Sequence, residues 1–222
     1  MRKTAAYFSS LARLPKVLLL AACCCVLPVD CDAQKKDSAQ EQLVDLSELS
    51  IDETLMLPDV PEKQAPYIKS YMHREAQALQ KMGYKVETMR QGEVVIATIP
   101  ADELFAPNDT TLLPGAADLL KPFLPYFRTH GKFKVILAMH SDDTGSSDYL
   151  YGLTERRVVS LYDYFDRYAA QTDMLQGYPM ADSDPLRNTP NTTADGRRAN
   201  RRLEIFIVPG PMLIMDAKSK KI

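Results

Sequence analysis

The chain has 222 residues, 27 basic and 29 acidic, and a formal net charge of −2. Less its export and linker segments, that length suits a single core of roughly 100–150 residues. The near balance of charge excludes a surface drawn as a whole to nucleic acid or anionic lipid. All four cysteines, Cys23, Cys24, Cys25 and Cys31, precede Gln34, so the body of the protein has no thiolate nucleophile, thiolate metal site or disulfide scaffold.

Arg2, Lys3, Arg13 and Lys16 precede the apolar run VLLLAACCCVLPV, which is too short for a transmembrane helix of roughly 20 residues and reads as an export signal. Two processing routes compete. LAAC resembles a lipobox that would make Cys23 a lipidated N-terminus, whereas CDA before Gln34 resembles an ordinary cleavage site after Ala33. Ordinary cleavage, with residues 1–33 as the signal, is the preferred reading, and both routes lead to the cell envelope. Residues 34–62 carry eight acids against Lys35 and Lys36 and end in Pro58 and Pro61, the composition of an acidic tether.

Residues 63–83 read as a helix, with Pro66 near its start, Gly83 at its end, and Ile68, Met72, Ala76 and Leu79 on one face. YKVETMR and VVIATIP flank Gly92 as a hairpin. LLPGAADLLKPFLPYF has helical spacing, but Pro122 and Pro125 predict a kink or a shortened helix. KFKVILA reads as a buried strand. LTERRVVSLYDYFDRYAA reads as a helix capped by Thr154, with Leu153, Val158, Leu161 and Phe165 on one side, and RRLEIFIV as a last strand. Residues 211–222 read as a frayed tail. This order predicts an α+β sandwich, a mixed sheet with helices on one face.

Three blocks, FAPNDTTLLPG, ILAMHSDDTGSSDYLYGLTERR and NTTADGRRANRRLEIFI, occur in that order within residues 84–210. Together they resemble the signature blocks of the OmpA-like peptidoglycan-binding domain. The resemblance implies a small βαβα-type domain that grips the diaminopimelate of the stem peptide. It implies Asp142 and Arg157 as ligand-binding residues, with Ser141 beside the aspartate, Asn108 lining the pocket, and Arg201 or Arg202 near the ligand or bracing the loop. His140, Gly145 and Asn200 take supporting places, Asn200 a structural one. Leu150 stands where such domains usually carry a ligand-contacting asparagine, and Met139 where they carry glycine.

A physical rationale accompanies the pair. Diaminopimelate presents an ammonium and a carboxylate on one carbon, so its receptor needs an anion and a cation side by side. If the loop folds back through Gly145, Asp142 takes the ammonium, and Arg157, expected one turn into the next helix, takes the carboxylate. The bland reading is a salt bridge between the two residues. His140 with Asp142 and Asp143 matches no usual metal spacing, so neither a metal nor a cofactor is expected. His73 and His130 read as surface residues, and Tyr149, Tyr151, Tyr162 and Tyr164 as packing. The arginines Arg197, Arg198, Arg201 and Arg202 read as a solvated or ligand-bracing face, with no nucleic-acid partner.

The expected function is therefore non-covalent peptidoglycan binding that anchors outer-membrane or envelope components to the wall. The expected location is the periplasm or the periplasmic face of the outer membrane of a Gram-negative-type bacterium. Outer-membrane proteins are candidate partners, and membrane contact is expected only through a lipid anchor or a partner. The alternative is a scaffold of the same fold with weakened wall binding, motivated by Leu150. No G-x-S-x-G elbow, H-E-x-x-H motif or cysteine nucleophile points to an enzyme.

Overall fold

The computed structural model describes residues 50–222; the export signal, Cys23 and the first part of the tether lie outside the described residues. Five strands form one mixed sheet in the order β1-β2-β5-β3-β4. β1 (Lys85–Met89) and β2 (Val94–Pro100) make the expected hairpin, with Lys85 opposite Thr98 and Met89 opposite Val94. β3 (Phe133–His140), buried along its whole length, lies between β4 (Leu175–Ala181) and β5 (Arg202–Pro209). It is parallel to β4 and antiparallel to β5.

Alternation along β3 divides its side chains between two cores. Val135, Leu137 and Met139 face the larger one, which is covered by α2 (Ala65–Lys81), α4 (Ala116–Leu120), α5 (Ser147–Tyr168) and α7 (Pro211–Lys218). Ile68, Met72, Ala76 and Leu79 of α2 are all buried there, as their spacing requires. Met139 is fully buried in this core and does not line the cleft described below. After Leu120 the chain tightens into a 3-10 helix, Lys121–Phe127, containing Pro122 and Pro125, because neither proline supplies the N–H that a continuing α-helix needs. Tyr126 and Phe133 meet edge to face at 5.1 Å beneath it.

Several expectations are corrected. The tether does not extend to residue 62: Ser50 caps α1 (Ile51–Met56) in a capping box with Glu53, and this helix lies on the sheet face opposite the other core helices. There Leu55 packs with Ile136, Ala138, Tyr178, Phe206 and Val208, since a sheet apolar on both faces needs cover on both. The four helices of the larger core therefore cover one face, and α1 covers the other. Residues 211–222 are not a frayed tail, because Leu213, Ile214 and Ala217 of α7 are buried in the larger core.

β4 was not anticipated because LQGYPMA contains Gly177 and Pro179, which argue against a strand. It is tolerated at the sheet edge, and a Cβ on Gly177 would lie 2.4 Å from Val158 Cγ1 of α5. Thr154 is not a cap. Ser146 caps α5, eight residues earlier, and the Thr154 hydroxyl donates to the Leu150 carbonyl at 2.9 Å inside the helix.

The segment carrying α1 is fastened by buried polar groups. The Lys134 ammonium donates to the carbonyls of Thr54 and Leu57, the Thr54 hydroxyl pairs with Tyr178 Oη at 2.6 Å, and Arg90 donates to the Leu55 carbonyl at 3.0 Å. Burial, with the charge of Arg90 nearby, brings the Lys134 pKa down to about 8. The unfolded chain, with an ordinary lysine near 10.4, then binds more protons than the folded one above about pH 8. The Lys134 contribution to stability rises from there until the unfolded lysine has also lost its proton. Denaturant unfolding of wild type beside Lys134→Met should show wild type gaining roughly 1–2 kcal/mol relative to the variant between pH 8 and 10; parallel pH profiles would contradict this.

Candidate functional site

The loop from β3 to α5, the short helix α3 (Ala101–Leu104), the loop that follows it, and α6 (Ala194–Asn200) with Arg201 close around a cleft of about 690 Å³. Asp142, Arg157, Ser141, Asn108 and Arg201 all line it, so five residues spread over 94 positions of sequence meet at one place. The chain reverses at Gly145, whose φ of +143° is a conformation that a side chain resists. A Cβ there would also lie 3.0 Å from Tyr149 Cδ1.

Asp142 is only 6% exposed. Its Oδ2 accepts from Arg201 Nη1 at 2.6 Å, and its Oδ1 from the Thr144 amide at 2.8 Å. Burial works to raise its pKa, but the bonds from Arg201 and Thr144 outweigh it and hold the carboxyl below its ordinary value. Arg201 spans a second acid: Asp102 accepts from its Nε and Nη2, each at 3.3 Å. Those bonds raise the Arg201 pKa, with burial opposing and the bond to Asp142 adding to the rise. Asp102 also lies 3.6 Å from Arg198 Nε. The result is a chain of alternating charge that ties α3, the β3–α5 loop and α6 together.

Arg157 is 4% exposed and sits in the third turn of α5, not the first as expected. The salt bridge between Asp142 and Arg157 anticipated as the bland reading does not form. Instead Arg157 Nε donates to the Asp109 carbonyl at 2.9 Å and Nη2 to the Ala106 carbonyl at 3.2 Å. Its guanidinium lies 4.9 Å from the centre of the Phe105 ring, which adds a cation–π contact. Among the described residues it has no carboxylate within ion-pair distance. Burial lowers its pKa, yet a guanidinium remains charged in proteins. A buried cation whose direct contacts are two neutral carbonyls and an aromatic ring thus lines the cleft.

Three residues named as supporting stand elsewhere. His140 is buried on the α1 face of the sheet, its Nε2 3.4 Å from Glu204 Oε2, and it does not line the cleft. Arg202 faces the same way: its Nε donates to Glu204 at 2.7 Å and its Nη2 to the Asp184 carbonyl at 3.2 Å. It braces the loop and stays away from the cleft, because adjacent residues of a strand point to opposite faces. Asn200 is buried and ties the preceding loop to α6, accepting from the Leu186 amide and donating to the Thr189 carbonyl and the Asn191 side chain. His130 and His73 are surface residues, and His130 pairs with Asp173 at 2.8 Å.

Sequence reasoning missed Asp102, Phe105, Thr144 and Tyr149 in the cleft wall, which Arg197 of the arginine cluster also lines. Tyr149, read as packing, donates from its hydroxyl to Asn108 Oδ1 at 3.1 Å. The signal that could have found Asp102 is its place directly after a strand, at the end where the other loops gather. Leu150 lines the cleft and is buried, so an apolar side chain does occupy part of its wall.

No protein-family model matches the chain. The chain is similar to the curated Escherichia coli (strain K12) protein named "Probable lipoprotein YiaD", at 26% identity over 137 residues, or 61% of this chain; it spans 62% of that relative's length. Among solved structures it is similar to a Desulfovibrio vulgaris protein described as MotB-like, with 23% identity and a TM-score of 0.57 over 66% of this chain and 98% of that one. The chain shares the fold of that MotB-like protein. A type VI secretion cell wall anchor of Pseudomonas aeruginosa is also similar, at 24% identity and a TM-score of 0.49, over 60% of this chain and 93% of that one. Within this fold the cleft lies at the end of β3, where the loops after β2 and β3 and the helix before β5 converge.

The Gly145 turn gives a direct check on how the cleft is built. Gly145→Ala should lower stability by about 1–3 kcal/mol in denaturant unfolding, since it combines a disfavoured φ with crowding against Tyr149. An unchanged midpoint would show that the loop readily adopts another path.

Proposed function

We propose that this chain binds peptidoglycan non-covalently through the diaminopimelate of the stem peptide and anchors envelope components to the cell wall. The observation that carries this reading is the Arg157 guanidinium, buried at the cleft wall with no carboxylate within ion-pair distance among the described residues. Two of its five N–H donors are used on carbonyls, which leaves three for a ligand carboxylate. Asp142 accepts two hydrogen bonds, and a carboxylate has about four acceptor sites, so it retains room for an ammonium. Fixed donors and acceptors of opposite sign in one cleft suit a zwitterion.

The same electrostatics favour binding over catalysis. A general acid or base works best with a pKa near the operating pH, whereas Asp142 is held below the ordinary carboxylate range by Arg201 and Thr144. The proposed location is the periplasm or the periplasmic face of the outer membrane. A relative named as a lipoprotein favours lipidation at Cys23 over the cleavage after Ala33 that the sequence preferred. Outer-membrane proteins are then neighbours that the anchor could join.

Leu150 in the cleft wall supports a second reading, a scaffold of the same fold with weakened wall binding. Sedimentation with insoluble peptidoglycan separates the two. Wild type should pellet, and Asp142→Ala and Arg157→Ala should each lose roughly 10–100-fold in affinity, since hydrogen bonds to charged groups contribute about 1.5–3 kcal/mol. Circular dichroism establishes that both variants are folded. Wild type left in the supernatant would overturn the anchor and favour the scaffold. Leu150→Asn, which returns a hydrogen-bonding group to the wall of the cleft, should tighten binding by roughly 2–10-fold.

A further inference from the structure

A second groove, of about 360 Å³, lies on the other side of the loop that Arg157 holds. Thr111, Ser160, Asp163, Tyr164, Arg167 and Tyr168 contribute to it, and Leu113 lines both this groove and the diaminopimelate cleft. The ridge between them is fixed from below by α5: Arg157 donates to the Ala106 and Asp109 carbonyls, and Ser160 Oγ donates to the Thr110 carbonyl at 2.6 Å. One helix therefore floors two neighbouring depressions.

The chemistry of the groove differs from that of the cleft. Tyr164 and Tyr168, one helical turn apart, bring their rings to 5.0 Å at an interplanar angle of 49°. Tyr164 is held in place by its bond to the Ala117 carbonyl at 3.2 Å and by edge packing on Phe165 at 5.3 Å. Tyr168 is 59% exposed, an aromatic surface left open to solvent. Asp163 and Arg167 flank the rings and form no ion pair among the described residues. Aromatic faces beside hydroxyl, carboxylate and guanidinium groups match a pyranose ring, which has an apolar C–H face and a rim of hydroxyl and amide groups.

We infer that this groove is a saccharide subsite, built on Tyr164 and Tyr168, that takes the N-acetylhexosamine glycan of the same wall polymer. The inference rests on the diaminopimelate reading of the neighbouring cleft. Continuity and length support that occupant. Arg157 and Tyr164 are seven residues apart on α5, about 10 Å along the helix. Diaminopimelate is joined to the glycan through two further stem residues, which when extended span a similar distance, roughly 7–11 Å. A ligand seated on Arg157 with its stem crossing the ridge in the direction of α5 would bring its sugar to the tyrosines.

The test is isothermal titration of the full-length protein with three probes: the free stem peptide, the same stem carrying its disaccharide, and glycan strands freed of peptide. The disaccharide form should bind roughly tenfold tighter than the free stem, equivalent to about 1.4 kcal/mol. Tyr168→Ala should abolish that advantage while leaving affinity for the free stem unchanged, and Tyr168→Phe, which keeps the ring, should restore it. Equal affinity of wild type for the two stem probes, or equal weakening of both by Tyr168→Ala, would overturn the saccharide subsite while leaving the diaminopimelate reading standing. If neither stem probe binds, the diaminopimelate reading fails and the inference fails with it. Binding of the peptide-free strands that Tyr168→Ala removes would support the subsite directly.

Discussion

The structure around the cleft depends on how the charge of Arg157 is kept inside the protein. Removing a guanidinium from water is costly unless its donors are met, and here the Ala106 and Asp109 carbonyls and the Phe105 ring meet part of that requirement. The loop from 106 to 109 is consequently folded onto α5, with Asn108 at φ +58° as the chain turns. That placement positions Asn108 against Tyr149 and brings the loop to the mouth of the cleft. The donors left over have no carboxylate within ion-pair distance among the described residues, and on the proposed function they are the ones that would meet a ligand carboxylate.

A second electrostatic arrangement completes the wall. Arg201 lies between Asp142 and Asp102, and its neighbour in sequence, Arg202, bonds to Glu204 on the opposite sheet face. The two arginines leave the start of β5 in opposite directions, one to the cleft and one to the brace under the 182–193 loop. The alternation of the strand thus assigns one of a pair of identical side chains to the site and the other to the scaffold. Glu204, its carboxyl drawn to about 2 against burial by His140 and Arg202, holds that second side together.

The segment before the domain has a larger structural part than its composition implies. α1 and its surroundings cover the sheet face that the other core helices leave open, and Lys134, Arg90 and Tyr178 fasten it through polar contacts. α1 is rich in acids, and its one buried leucine among the described residues, Leu55, is too weak a periodic signal to distinguish a packed turn of helix from a spacer.

Local pattern alone determined much of this protein. The stripe of Ile68, Met72, Ala76 and Leu79, the hairpin about Gly92, the proline-shortened helix and the buried run of β3 were legible because period and punctuation are local properties. The ordered blocks also placed Asp142, Arg157, Ser141, Asn108 and Arg201 in one cleft. What the sequence could not reveal depended on partners distant in the chain. Gly177 and Pro179 spell a strand only when an edge position and the close approach of α5 accommodate them. Tyr149 and Asp102 enter the cleft wall because loops from two strand ends meet there. The pairing of Asp142 with Arg201 in place of Arg157 was decided by tertiary structure, because salt-bridge choice follows distance and desolvation in space, which spacing along the chain does not encode.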